Sequence, residues 1–177
     1  PKAALSLAGI SRDLSTLRPF DLSTLLKELG GGLELSMLVA VPKGSGLGTS
    51  SILASTVLGS LSDFYGLRWS RSEIGRRTLA LEQMLTTGGG WQDQFGGIYA
   101  GLKMLETKAG FDQTPEVSWL PGNYFTEPEK RSCLLLYYTG ITRVAKNILG
   151  EIVRGMFLNS NHRLQILEEL EQHAEDL

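Results

Sequence analysis

The chain has 177 residues and a formal net charge of −2; 42% of its residues are hydrophobic and 20% are charged. This balance is typical of one soluble domain with a packed core, or of one domain and part of another, and it argues against nucleic acid as a partner. No apolar run is long enough for a membrane span and no signal peptide is visible, so we expect a cytoplasmic protein with no membrane partner. The single cysteine, Cys133, excludes an intramolecular disulfide and fits a reducing compartment.

The first forty residues predict a short helix followed by a strand. Residues 1–11 are apolar and fit a helix or a strand equally well. Asp21 can cap a short helix with leucines along one side, which the glycines at 30–32 would end. Residues 33–41 alternate between apolar and other side chains, which predicts a half-buried strand.

The segment Pro42–Ser51 reads Pro-Lys-Gly-Ser-Gly-Leu-Gly-Thr-Ser-Ser and joins that strand to a helical pattern. Glycine permits positive φ angles and lets a ligand reach the main chain. The hydroxyl side chains lie where the helix begins, at the end whose free N–H groups attract anions. The loop lacks the Gly-Lys-Ser/Thr of a Walker A motif and the third glycine of a Rossmann fingerprint. We therefore predict a phosphate-binding loop, with a tight turn and an N-cap as the alternative.

Helical spacing of apolar residues continues beyond this loop. It predicts one helix from Ser50 to Gly66 and a second helix that Ser70 or Ser72 caps. We expect the arginines of this region to be solvated rather than to form an anion site; they are Arg68, Arg71, Arg76 and Arg77.

The remaining chain mixes strand and helix patterns. Residues 98–104 alternate as a strand, residues 106–131 predict a loop or a weak hairpin, and residues 133–138 predict a buried strand. A helix that Thr142 caps follows, and a last amphipathic helix begins at about residue 160 and has an acidic, solvated end. The element order predicts an α+β fold, in which helices cover one face of a sheet.

A second glycine-rich segment, residues 86–97, reads Thr-Thr-Gly-Gly-Gly-Trp-Gln-Asp-Gln-Phe-Gly-Gly and contains Asp93. Glu82 lies eleven residues earlier, on the preceding helix. A loop that binds a triphosphate needs a divalent cation, and Ser50 and Glu82 are the kinds of ligand that Mg²⁺ takes. Asp93 can orient a substrate hydroxyl or accept its proton. Together these groups predict phosphoryl transfer from a nucleotide to an alcohol.

The motif Pro-x-Gly-x-Gly-Leu-Gly-Thr-Ser-Ser resembles the central loop of the GHMP small-molecule kinases. The resemblance implies ATP and Mg²⁺ as cofactors, Ser50 and Glu82 as metal ligands, and Asp93 as the catalytic aspartate. The residues that it assigns to the ATP phosphates are Lys43, Gly44, Ser45, Gly46, Leu47, Gly48, Thr49, Ser50 and Ser51. The residues that would then lie at the sugar are Gly89, Gly90, Trp91 and Asp93, although core packing is an equal alternative for Trp91.

Within this family, Thr-Gly-Gly-Gly-Trp-Gln-Asp-Gln and the stretch Tyr-Thr-Gly-x-Thr-Arg-x-Ala-x-Asn at residues 138–147 resemble the L-fucokinase group. The resemblance implies a carbohydrate kinase that transfers the γ-phosphoryl group of ATP to the anomeric hydroxyl of L-fucose. A D-glycero-D-manno-heptose 7-phosphate kinase and a noncatalytic nucleotide- or sugar-binding fragment are the alternatives.

The fold implied is the N-terminal GHMP domain, which is ribosomal S5 domain 2-like, over residues 1–131. Residues 132–177 would begin an incomplete second domain. The family's early sugar-binding motif and its late glycine-rich motif have no match here, so we expect a truncated part of a kinase.

Overall fold

The structure is a computed structural model that divides into two compact units, residues 1–142 and 143–177. It describes residues 1–11, 21–42, 44–85, 90–110, 114–123, 125–138, 140, 145–158 and 160–176, with the backbone alone for residues 145–149. The assignment of domains to residues 1–131 and 132–177 stays a prediction.

The first unit consists mainly of helices. They are α1 (Lys2–Leu7), α2 (Leu22–Glu28), α3 (Thr49–Phe64), α4 (Arg71–Met84), α5 (Gln92–Ile98) and α6 (Pro128–Arg131). Strands β1 (Lys103–Glu106) and β2 (Glu116–Trp119) pair antiparallel, with Lys103 opposite Trp119 and Glu106 opposite Glu116. Only β2 lies within residues 106–131, for which a loop or a weak hairpin was predicted, because β1 lies mostly before that segment. The described residues thus combine helices with a two-stranded sheet, and a larger sheet with helices on one face is not confirmed.

Side-chain caps explain where two of the helices begin. The carboxylate of Asp21 accepts hydrogen bonds from the backbone N–H groups of Ser23 and Thr24, at 3.2 and 3.0 Å. The hydroxyl of Ser70 accepts a hydrogen bond from the N–H of Glu73 at 3.2 Å. Each bond satisfies an amide that has no partner inside its own helix. Ser70, not Ser72, is therefore the cap of α4.

The core lies where α1, α3 and α4 pack together. Its buried residues are Ala4, Val57, Leu58, Leu61 and Leu81. Helix α5 packs against α3 and α4, and its Phe95 is fully buried. A Cβ added to Gly75 of α4 would lie 2.7 Å from the Phe95 ring, so the glycine permits the close approach of the two helices. Tyr99 packs between Phe95 and Trp119, which attaches the hairpin to α5.

Arg77 corrects the expectation of a fully solvated arginine group. Its Nη1 donates a hydrogen bond to the carbonyl oxygen of Leu7 at 2.8 Å, and its Cζ lies 4.1 Å from the centre of the Trp69 ring. Its Nη2 pairs with the Glu73 carboxylate at 2.8 Å. The aliphatic stem of arginine can be buried while its head finds polar partners, so Arg77 links α1 to α4. Arg76 is exposed, as expected.

Two of the predicted strands are wrong, and a third lies at 103–106 instead of 98–104. Residues 33–41 have no strand structure: Leu33 and Leu35 pack against the core, but the residues from Met37 onward are exposed. Residues 133–138 are likewise irregular and exposed, including Cys133. A strand persists only with a hydrogen-bonded neighbour, and among the described residues only β1 and β2 pair. Ile98, the first residue of the predicted strand at 98–104, is the last residue of α5, and only Lys103 and Met104 of that range belong to β1.

The second unit consists of α7 (Ala145–Phe157) and α8 (Asn161–Glu175), which pack against each other. Arg163 of α8 donates a hydrogen bond to the carbonyl oxygen of Glu151 at 2.6 Å. The helix predicted from about residue 160 is confirmed, whereas Thr142 lies outside the described residues. No helix in the described part of either unit is long and apolar enough to cross a membrane.

Candidate active site

The glycine loop has the backbone conformation that its sequence predicts. Gly44, Gly46 and Gly48 have φ angles of +74°, +79° and +62°. Left-handed residues that alternate with ordinary ones are typical of the concave backbone nests that bind anions. Gly48 is also the N-cap of α3, and no side chain caps that helix. The first N–H groups of a 16-residue helix therefore point towards the loop without a capping partner from a side chain.

Two hydroxyl groups at the loop are buried without a hydrogen-bond partner. They are the Oγ of Ser45 and the Oγ1 of Thr49. A buried polar atom without a partner costs about 1–3 kcal/mol, so its presence calls for a physical reason. A bound phosphate would give one, because each hydroxyl can donate a hydrogen bond to a phosphate oxygen. Ser50, the next residue of α3, is exposed.

The carboxylate of Glu82 is buried between three helices. Its side chain comes from α4, and the residue is 7% exposed. Ser51 of α3 donates a hydrogen bond to Oε1 at 2.5 Å, and Gln94 of α5 donates one to Oε2 at 2.6 Å. The Glu82 carboxylate therefore lies beside Ser51, the neighbour of the exposed Ser50, at the N-terminal end of α3.

Asp93 approaches the same loop from the other side. It lies in the first turn of α5 and is exposed. A Cβ placed on Gly48 would lie 3.2 Å from the Cγ of Asp93 and 3.3 Å from its Oδ1. A glycine at position 48 thus leaves the space that the aspartate occupies. The structure brings a solvent-accessible carboxylate to the N-terminus of α3, where a phosphate would bind.

The donor groups at this site suit a hard cation better than a soft one. Among the residues that the structure describes, no three His, Cys, Asp or Glu side chains are grouped as a metal centre. Glu82 and the nearby hydroxyls offer oxygen atoms only. Mg²⁺ takes oxygen ligands, keeps several waters and is bound by one or two carboxylates together with substrate phosphates. The residues therefore fit Mg²⁺ that is held jointly with a phosphate ligand.

The structure brings most of the described candidate residues together. Glu82 contacts Ser51 rather than Ser50, and the role of Ser50 as a metal ligand stays a prediction. Trp91 is partly buried at the start of α5, next to the exposed Gly90. Lys43 and Gly89 lie outside the described residues.

Gln94 is the site residue that sequence reasoning missed. It is 1% exposed and contacts Glu82. A signal was present, because Gln94 directly follows Asp93 in the segment Gln-Asp-Gln. A glutamine in a glycine-rich turn gives no indication of burial, however, until the helix that contains it is known.

Comparison with known proteins identifies a family for part of the chain. Residues 20–101 match the family described as GHMP kinases N terminal domain. A Bacteroides fragilis protein named L-fucokinase/L-fucose-1-P guanylyltransferase is 59% identical over 177 residues, which is 100% of this chain and 19% of that protein. An Arabidopsis thaliana protein named bifunctional fucokinase/GDP-fucose pyrophosphorylase is 36% identical over 81% of this chain and 14% of its own length. The resemblance inferred from the glycine loop is confirmed.

A more distant relative is named for a different activity. A Campylobacter jejuni protein named D-glycero-alpha-D-manno-heptose 7-phosphate kinase is 32% identical over 76% of this chain and 39% of its own length. The chain thus spans about a fifth of the length of the first of these relatives and less than half of the last. No solved structure matches the chain.

Proposed function

We propose that the protein containing this chain is a carbohydrate kinase acting on L-fucose. The proposal starts from the match of residues 20–101 to the family of GHMP kinase N-terminal domains. The protein would transfer the γ-phosphoryl group of ATP to the anomeric hydroxyl. The observation that carries the proposal is the approach of Asp93 to Gly48, at the uncapped start of α3. The 59% identity to a protein named L-fucokinase supports the choice of sugar.

The loop residues would bind and orient the triphosphate. The N–H groups at the start of α3 and the buried hydroxyls of Ser45 and Thr49 donate hydrogen bonds to phosphate oxygens. Glu82 and Ser50 would hold Mg²⁺, which when bound supplies positive charge to the phosphates. Most of the catalysis would then come from positioning and charge stabilisation.

Asp93 would accept the proton of the sugar hydroxyl. Its carboxylate orients the anomeric hydroxyl and accepts the hydroxyl proton as the sugar oxygen forms its bond to the γ-phosphorus. The bond between that phosphorus and the β–γ bridging oxygen breaks, and ADP leaves. Gly89 and Gly90 would let the backbone approach the sugar, and the ring of Trp91 would pack against it.

The test is Asp93→Asn in the full-length protein. We expect sugar phosphorylation to fall below detection while binding of ATP stays within about threefold, since Asp93 acts on the sugar rather than on the nucleotide. Asp63→Asn is the matched control, because Asp63 is exposed on α3 and away from the loop. Turnover of Asp93→Asn at the wild-type rate would contradict the assignment.

The choice of acceptor needs its own comparison. ADP release should be faster with L-fucose than with D-glycero-D-manno-heptose 7-phosphate, and it should require Mg²⁺. The reverse preference would favour a heptose 7-phosphate kinase, the alternative that the Campylobacter jejuni relative supports. Binding of ATP and L-fucose without ADP release by the full-length protein would favour a noncatalytic function.

A further inference from the structure

Two buried polar side chains, from α3 and α5, meet at one buried carboxylate of α4. Ser51 of α3 donates to Oε1 of Glu82 at 2.5 Å, and Gln94 of α5 donates to Oε2 at 2.6 Å. Ser51 is 5% exposed, Glu82 is 7% exposed and Gln94 is 1% exposed. The three groups thus form a buried clamp, in which each oxygen of the carboxylate has its own donor.

The orientation of the Gln94 amide is determined by this contact. A carboxylate can only accept hydrogen bonds, so the NH₂ end of the amide must face Glu82. The amide oxygen, Oε1, then points away and is buried without a hydrogen-bond partner. An unpaired buried oxygen of this kind is unfavourable, and an apolar side chain of similar size would avoid that cost. The contact with Glu82 is therefore more than a way to fill space.

The two hydrogen bonds limit the orientations that the Glu82 carboxylate can adopt. Donors on both oxygens restrict the rotation of the carboxylate group about its last side-chain bond. Groups that hold a ligand side chain in this way commonly change metal affinity or activity by about 10–100-fold when they are removed.

We infer that Ser51 and Gln94 are positioning residues, which hold the Glu82 carboxylate in the orientation that binds the divalent cation at the phosphate site. The inference rests on the proposed function, because it assumes a metal–nucleotide site at the start of α3. The inference assigns different roles to two neighbouring hydroxyl groups. Ser50 is exposed and free to face a ligand, whereas Ser51 is turned inward and acts through Glu82.

The experiment uses Mn²⁺ as a spectroscopic probe, in the full-length protein with ADP present. Electron paramagnetic resonance measures the free Mn²⁺ and hence the dissociation constant. We expect Ser51→Ala and Gln94→Leu each to weaken Mn²⁺ binding by about 10–100-fold. Ser51→Thr keeps the hydroxyl and should bind within about threefold of the wild type. Ser60→Ala, on the exposed side of α3, is the matched control and should behave as the wild type.

A kinetic measurement accompanies the binding measurement. The Mg²⁺ concentration for half-maximal activity should rise in Ser51→Ala by the same factor as the Mn²⁺ dissociation constant, while KM for L-fucose stays unchanged. A general loss of structure would instead change both constants. Because Gln94→Leu can fail to fold, the comparison of Ser51→Ala with Ser51→Thr tests the positioning role without it.

The outcomes separate this inference from the proposed function. If the wild type binds Mn²⁺ with ADP and phosphorylates L-fucose, but Ser51→Ala binds Mn²⁺ equally well, the clamp has no positioning role and the kinase assignment stands. If the wild type binds no Mn²⁺ in the presence of ADP, both the metal site and the inference built on it are wrong.

Discussion

Gly48 offers a direct test of the approach between the glycine loop and Asp93. Its φ angle is +62°, a conformation that costs an alanine about 1–2 kcal/mol. Gly66, just beyond the other end of α3, has nearly the same angle, +64°, but an added Cβ there would contact nothing within 4 Å. Gly48→Ala and Gly66→Ala should therefore lower the free energy of unfolding by similar amounts.

The two variants should differ in turnover. The new Cβ at position 48 would lie 3.2 Å from the Cγ of Asp93, whereas carbon atoms pack best at about 3.5–4.0 Å. The aspartate must therefore move by roughly 0.3–0.8 Å, and a misplacement of ~1 Å can cost about 100-fold in rate. We expect kcat of the full-length protein to fall about 10–100-fold in Gly48→Ala and to stay near the wild-type value in Gly66→Ala.

The assay is ADP release at saturating ATP and L-fucose, with thermal unfolding recorded on the same samples. Equal losses of kcat in the two variants would mean that backbone strain alone inactivates the protein. A Gly48→Ala variant with wild-type kcat would mean that Asp93 need not occupy the position seen here. Either result would refute the argument that glycine is required at position 48 to make room for a catalytic carboxylate.

Two further predictions concern stability. Gly75→Ala should lower the thermal unfolding midpoint, since its Cβ would lie 2.7 Å from the Phe95 ring and overpacking costs about 1–3 kcal/mol. Gly59→Ala, whose Cβ would meet a neighbour at 3.7 Å, should raise the midpoint because alanine favours a helix interior. A rise in both variants would contradict the close packing at Gly75. Hydrogen bonds, above all from the Thr24 side chain, hold the pKa of Asp21 below its usual value, so the cap should stabilise α2 at neutral pH and lose this effect as the pH falls through the lowered pKa. An NMR titration of the Asp21 carboxyl with a midpoint at or above about 3.9 would show that the cap does not form.

Helices α2 and α4 could be predicted because their signals are local, whereas α5, in the second glycine-rich segment, was not predicted. Asp21 and Ser70 each accept hydrogen bonds from amides two or three residues away, and both contacts can be read from neighbouring residues. The strands at 33–41 and 133–138 could not be predicted reliably. Alternation records which side chains prefer burial, but the pairing that completes a strand depends on residues elsewhere in the chain.

The sequence indicated most of the residues that the structure groups at the candidate site, but not their contacts. The spacing of Glu82 and Asp93 and the hydroxyls after the glycines indicated a phosphate site, and the structure groups these residues. Ser50 and Ser51 differ by one position, which is about 100° around a helix. Which hydroxyl faces Glu82 depends on how α3 packs against α4, and this is not visible in the sequence. The burial of Gln94 depends on the same packing.

The exposed segment at residues 134–138 has a consequence for the behaviour of the chain at high concentration. It contains three leucines and two tyrosines without a charge, and Leu135 and Leu136 are 91% and 86% exposed. Short uncharged runs of high β-propensity, held open, act as templates on which another copy of the same run can add as a strand. Charged gatekeeper residues normally interrupt such runs, and none lies within this one. We therefore expect self-association to begin at this segment.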